Sequence, residues 1–334
     1  MRSWWIRFGD EATNCPACGS PRIAVLDVVP ARDARRRLVA FVGGCEECGL
    51  LFTSPQRSRE ELETYYADEG AWAERIHEQK RRGKARPPVP KPMRRVDRLL
   101  LALGPHVPVS VPPAGAKVLD CGCGDGKFLN ALQKWGWDTY GVEPSMSEAF
   151  PRHHRLEAPP QDASFDFVIL HQVLEHIREP LDLLRQLAGS MREGGSLFIS
   201  VPRLDTVPEF GHFNYCLDRR HHLVAFSETC LTGLLARVGL AVTARIDDRE
   251  LDEALTRGQP RRLRLLAVRT SKAPALPSAP LEAANRVLRE YRRRRDGAVT
   301  GILDNLLPVR FRAALMIRSR EREKRLKRAA RAAV

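Results

Sequence analysis

No run of about 18 apolar residues occurs in the 334-residue chain, so a membrane-spanning helix is not expected. The opening residues, Met1-Arg2-Ser3-Trp4-Trp5-Ile6-Arg7, hold no apolar stretch of the length an export signal needs, which places the protein in the cytoplasm as an expectation. Aromatic residues are scarce, at 7%, and nowhere cluster into a platform on which the bases of single-stranded nucleic acid would stack. The phosphate-binding pattern G-x-x-x-x-G-K-[ST] and the dinucleotide pattern G-x-G-x-x-G are both missing, which argues against those two nucleotide-binding classes.

Hydrophobic residues make up 43% of the chain, enough for one or two folded units with ordinary cores. The net charge of +14 is unevenly placed: residues 281–334 carry 16 Lys/Arg against 6 Asp/Glu. The excess therefore belongs to a basic, helix-forming tail, expected to be exposed and compatible with peripheral contact to an anionic membrane. The remaining chain is close to balanced, so a basic catalytic face is not implied.

Four segments follow from composition and pattern. Residues 1–56 hold two cysteine pairs and short strands near Ile23–Val29 and Arg37–Val42. Residues 57–113 read as a helix capped by Ser58, a Pro/Arg-rich linker and a second amphipathic helix over about 93–103. Residues 114–270 alternate strands (Lys117–Asp120, Asp138–Glu143, Phe165–Leu170, Ser196–Val201) with helices (126–134, 180–191), the mark of a doubly wound parallel sheet. The last two strands, 240–245 and 262–268, have no convincing helix between them and suggest an antiparallel pair at the sheet edge. Residues 271–334 form the tail.

Asp120-Cys121-Gly122-Cys123-Gly124-Asp125-Gly126 ends the first of these strands and opens a helix. Glycines let a ligand approach the backbone closely, and a helix start presents free N–H groups. Glu143 ends the next strand, where an acidic side chain can accept hydrogen bonds from both ribose hydroxyls, at the carboxyl edge where open α/β sheets bind ligands. With Phe165-Asp166-Phe167-Val168-Ile169, Val173-Leu174-Glu175-His176-Ile177 and Gly194-Gly195-Ser196-Leu197, this closely resembles the class I S-adenosylmethionine (SAM)-dependent methyltransferases over about residues 93–270. The resemblance implies an α/β, Rossmann-like seven-stranded sheet with one antiparallel strand, and SAM as cofactor. It further implies that SAM lies over Gly122, Gly124 and Gly126, with its ribose on Glu143 and Asp120 at its methionine end or holding the loop. Only 21 residues separate Glu143 from Phe165, too few for the family's usual helix, third strand and adenine contact. The third strand is expected to be abridged or unrecognisable, and no adenine-contact residue is carried over.

Cys15, Cys18, Cys45 and Cys48 form C-x2-C, 26 residues and C-x2-C, a set that closes a tetrahedral structural zinc site and leaves no open position for catalysis. Reduced, unliganded cysteines are the alternative. The surrounding Cys48-Gly49-Leu50-Leu51-Phe52-Thr53-Ser54-Pro55 and Leu62-Glu63-Thr64-Tyr65-Tyr66 are similar to the N-terminal module of bacterial methyltransferases of nucleotide-sugar, polysaccharide and secondary-metabolite pathways. Some of those are sugar C-methyltransferases with a further large C-terminal domain, which the short basic tail here does not match. Cys121, Cys123, Cys216 and Cys230 are expected to be structural.

Methyl transfer to oxygen or carbon needs the acceptor's proton removed, and histidine is the usual base near neutral pH. By resemblance to the sugar enzymes, His222 is the first candidate and His221 the second, in His221-His222-Leu223-Val224-Ala225-Phe226-Ser227. His171 follows strand Phe165–Leu170 and is a candidate substrate contact, whereas Glu175-His176 is expected to be a structural pair. The function implied is methyl transfer to a small-molecule acceptor such as a sugar, glycan or secondary-metabolite intermediate. An rRNA or other nucleic-acid methyltransferase and a non-catalytic scaffold are the rivals. Against the first, the strand ending at Leu170 is not followed by the [DN]-P-P-[YF] group of base amino-methylases.

Overall fold

The computed structural model describes residues 14–30, 39–54, 56, 58–66, 95–144, 152–207, 216–217, 222–246, 261–272, 274–276, 282, 284–287 and 289. The linker expected over residues 80–95, apart from its last residue, lies outside them, as do His221 and most of the tail.

Two sheets organise the described residues. The larger contains β4 (Lys117–Cys121), β5 (Asp138–Val142), β6 (His154–Leu156), β7 (Phe165–His171), β8 (Met191–Pro202), β10 (Leu240–Arg245) and β11 (Arg262–Arg269). Its order is β10-β11-β8-β7-β4-β5-β6. The strands from β6 to β8 run parallel, and β11 inserts antiparallel between β8 and β10. The expected seven-stranded sheet with one reversed strand is thus present. The short segment after Glu143 still delivers its edge strand, β6, reduced to three residues. That is all 21 intervening residues leave room for.

Helices cover both faces. α2 (Arg95–Leu103) and α3 (Lys127–Lys134) supply Leu99, Leu100, Leu103, Phe128 and Leu132 to one core, together with Phe167 and Ile169 of β7. α4 (Pro180–Ser190) and α5 (Glu228–Ala236) supply Leu181, Leu184, Leu187, Leu231 and Leu234 to the other, together with Val168 and Leu170. Each sheet face takes alternate residues of β7, as the pleat requires. One difference concerns residues 191–195. The expected helix runs to 191 and the expected strand starts at Ser196, yet β8 begins at Met191, and its pairing with β7 slips between Phe165 and Phe167. A Cβ at Gly195 would lie 3.0 Å from the Phe165 carbonyl oxygen, so the glycine permits the close strand approach at this bulge.

The smaller sheet joins β1 (Ile23–Pro30), β2 (Val39–Cys45), β3 (Leu51–Ser54) and β9 (Val224–Ala225) in that order. The two-residue strand β9 is supplied by the part of the chain that forms the larger sheet, just ahead of α5, and pairs Leu51 with Ala225 and Phe52 with Val224. The cysteine segment is therefore not a separate bead. Cys15, Cys45, Cys48, Leu50 and Phe52 are buried in the same core as Leu223, Phe226, Cys230 and Leu231. A third small core gathers Val42, Leu51, Leu204, Cys216 and Ala225 around Ala284 and Val287. The start of the basic tail is thus docked, against the expectation of an exposed helix, because these two small apolar side chains share one face of the helical residues 284–287.

Phe52 is fully buried where the two sheets meet. Phe52→Ala is expected to cost about 3–5 kcal/mol, read as a lowered midpoint of a single denaturant transition. Loss of the cysteine segment alone, with the rest unfolding at the wild-type midpoint, would contradict a shared core.

Candidate active site

The glycine loop follows β4. Gly122, Gly124 and Gly126 all have positive φ, at 77°, 52° and 67°. The amides of Gly122 and Cys123 donate to the Val142 carbonyl at the end of β5, at 2.7 and 3.2 Å, which turns the loop back over the sheet edge. At Gly122 a Cβ would meet Val173 Cγ2 at 2.4 Å, so the loop after β7 sits directly on this glycine. At Gly124 a Cβ would meet nothing within 4 Å. Space therefore lies above the loop, and Gly126 begins α3 without a side-chain cap, leaving its first amides for a ligand.

Three carboxylates attend this space. Glu143, half-buried just past β5, accepts the Gly124 N–H at 2.8 Å through Oε2. Asp125 forms an ion pair with Lys127. Asp120 is 2% exposed, and its Oδ2 has no hydrogen-bond partner. Burial, reinforced by the negative charges of Glu143 and Asp125, pushes its carboxyl up to about 8. SAM carries a sulfonium and an ammonium, so a buried, partnerless carboxylate beside an open glycine loop suits its charge. The structure brings Gly122, Gly124, Gly126, Asp120 and Glu143 together around this loop. Burial also raises the Cys121 thiol to about 12, too high for a reactive thiolate.

A second cluster lies beyond β7. Leu174–His176 form one 3-10 turn that buries Glu175 to 1% exposure, with neither carboxylate oxygen hydrogen-bonded. Burial pushes this carboxyl up to about 8. His176 Nε2 is 4.0 Å from Glu175 Oε1, and its Nδ1 is 2.9 Å from the Tyr66 hydroxyl at the end of α1 (Arg59–Tyr66). The His222 ring stands edge-on to His176 with centroids 4.8 Å apart. Ligand atoms of Glu175, His176 and His222 all lie within 4.8 Å of one another. Such a group can accept, hold and pass a proton.

Of the residues expected from sequence, His222 belongs to this cluster and His221 is outside the described residues. His171 is placed differently: at the end of β7 it stacks on Phe198 and meets the edge of Phe128. Glu175 and His176, expected as a structural pair, lie beside His222. Tyr66 had no assigned role; only its place in the Tyr65-Tyr66 motif pointed to it.

The four cysteines Cys15, Cys18, Cys45 and Cys48 converge, with Cys15–Cys48 and Cys18–Cys45 sulfurs 3.6 and 3.5 Å apart. A tetrahedral zinc with bonds of about 2.3 Å separates its sulfurs by about 3.8 Å, so the set fits the metal. The Gly19 and Gly49 amides return to the Cys15 and Cys45 carbonyls, both at 2.9 Å, closing each C-x2-C turn.

Residues 85–245 match the family model of a methyltransferase domain. The matched segment takes in the strands from β4 to β10. Over 113 residues, 29% of this chain, it is 31% identical to a ubiquinone biosynthesis O-methyltransferase of Xanthomonas axonopodis, of which the match covers 47%. Over 114 residues, again 29% of the chain, it is 36% identical to a tRNA U34 carboxymethyltransferase of a Geobacter species, of which 34% is covered. The chain thus spans less than half the length of these relatives. A solved 1,6-didemethyltoxoflavin-N1-methyltransferase of Burkholderia thailandensis overlaps 73% of this chain and 100% of its own at 16% identity, with a TM-score of 0.44. No helix among the described residues is long and apolar enough to cross a membrane.

Two pH effects follow. A cation beside Asp120 needs the ionised carboxylate, which is protonated below about 8. SAM affinity is expected to fall by up to about tenfold per unit as pH drops below that value, and Asp120→Asn to flatten the profile. Calorimetry across pH checks this; a pH-independent wild-type affinity would contradict it. Glu175 is raised from 4.5 to about 8. Its contribution to stability is complete below 4.5 and is lost as pH rises through 8. Glu175→Gln should therefore melt above wild type at pH 8, with the gap closing toward pH 4.5; equal melting at pH 8 would refute the buried, partnerless carboxylate.

Proposed function

We propose that the protein transfers a methyl group from SAM to oxygen or carbon of a small-molecule acceptor, a sugar, glycan or secondary-metabolite intermediate. The observation that carries this is the close group that buried Glu175 forms with His176 and His222, linked to the glycine loop through Val173, which sits on Gly122. SAM supplies an electrophilic methyl group and leaves as a neutral thioether, so no acid is needed on the leaving side. What the chain must supply is removal of the acceptor's proton and alignment of the acceptor.

His222 takes that proton, with His221 as the neighbouring candidate in the same loop. His176 stands between His222 and Tyr66, its ring orientation set by the Tyr66 hydroxyl. Glu175 stabilises the histidinium that results, which lowers its own carboxyl value as the positive charge forms. His171, lodged between two phenylalanine rings, is the candidate contact to the acceptor's apolar part. Zinc in the four-cysteine set has no open position and supports the fold. Its thiolate ligands call for a reducing compartment, in line with a cytoplasmic protein.

The likeness to a tRNA U34 carboxymethyltransferase favours a second reading, transfer to RNA. One assay separates the two: labelled methyl transfer from SAM to a panel of nucleotide sugars, small glycans and bulk tRNA. Label in a nucleotide sugar or glycan, falling about 10²–10⁴-fold in His222→Ala with SAM affinity unchanged, is the expected result. Label in tRNA alone would establish the second reading. Absence of transfer to every class, with SAM bound, would favour a scaffold.

A further inference from the structure

Leu223, the residue after His222, is tied in two directions. Its amide donates to the Glu175 carbonyl at 2.8 Å, and its own carbonyl accepts the Thr53 amide at 3.2 Å and the Gln56 Nε2 at 3.4 Å. The first bond fixes the His222 loop onto the turn that carries Glu175 and His176. The other two fix the same residue onto the cysteine segment. The next residues, Val224 and Ala225, are β9, paired with Phe52 and Leu51 of β3.

β3 lies six residues or fewer from Cys48, and the Cys45 amide donates to Leu50 at 3.0 Å, so the strand starts from the metal turn itself. A second link runs from α5. Cys230 is buried in the same core as Cys48, in the first turn of the helix that β9 enters, and its amide donates to Ser227 Oγ at 3.2 Å. Tyr66, the hydroxyl partner of His176, is on α1, the helix that follows β3. The acceptor-side cluster therefore takes His222 and Tyr66 through elements anchored on the four cysteines. The glycine loop is held otherwise: by Val142, Val173 and its own helix.

We propose that metal in the four-cysteine set clamps His222 and Tyr66 onto Glu175 and His176, so that its loss dismantles the acceptor side of the site and spares the cofactor side. Thr53 is the positioning residue in this device. A two-residue strand is marginal by itself, so β9 keeps its place only while β3 is rigid, and β3 is rigid only while the metal turn holds.

The test uses the full chain in three forms: wild type with zinc, wild type depleted of zinc, and Thr53→Pro, which removes the amide that reaches Leu223 without touching a ligand. Zinc content, SAM affinity, amide exchange and methyl transfer are read on each. In the depleted form, exchange at Leu223 and Val224 is expected to rise about tenfold or more, while exchange at Gly122 and Cys123 and the SAM affinity stay within about twofold. Thr53→Pro should show the same pattern with zinc retained; if it also loses zinc it serves as a second depleted form. Unchanged exchange at Leu223 on depletion, or equal loss of the glycine-loop protection and SAM binding, would overturn the proposal. The activity arm rests on the methyltransferase reading: wild type that transfers no methyl group but shows the selective exchange would remove that reading and leave the clamp standing.

Discussion

Main-chain hydrogen bonding at Leu223 is the constraint on which the molecule depends. One residue is bonded through its amide to Glu175 and through its carbonyl to Thr53, and Leu223 to Phe226 are buried. Buried amides and carbonyls left unmade are costly, so neither the cysteine segment nor the β7 turn can shift without the other. Addition of β9 to β3 is what makes one core out of two sheets, with Phe52 and Leu231 in a single cluster. A chain with a ribbon and a catalytic sheet that folded independently would show neither feature.

Against this rigid frame stand two groups the fold leaves unsatisfied. Asp120 and Glu175 are both almost fully buried, and each has carboxylate oxygen without a partner. Burial of such groups opposes folding at neutral pH, and nothing in the packing around them offsets it. Groups of this kind belong to sites whose partners arrive with the ligand. The two lie on opposite sides of Val173: Asp120 on the strand that leads into Gly122, which Val173 touches, and Glu175 two residues beyond it. One short loop therefore joins a cation-attracting carboxylate to a proton-accepting group, the two requirements of methyl transfer from a sulfonium donor.

Much of the fold was legible in the sequence because it rests on local signals. Alternating strands and helices, three glycines of positive φ, and Glu143 at a strand end each follow from a few adjacent residues. The four-cysteine set was legible for the same reason, being two tight turns. What escaped was non-local. Two residues of β9 carry no strand pattern, yet they decide where the cysteine segment sits. Tyr66 and His176 are 110 residues apart, and no periodicity links them. Nor does any local pattern link Glu175-His176 to His222, which comes from a distant loop. Ala284 and Val287 were masked by the arginines around them, so an anchored tail start read as an exposed one.

Calorimetric titration of wild type, Gly124→Asp and Glu143→Ala with SAM and with S-adenosylhomocysteine tests the central claim most directly. Saturable one-site binding by wild type is predicted. Gly124→Asp should abolish it, since the aspartate would project into the open space above the loop, and Glu143→Ala should weaken it for both ligands. Absence of binding by folded wild type, or binding indifferent to Gly124→Asp, would contradict a SAM site on this loop and with it the methyl-transfer account.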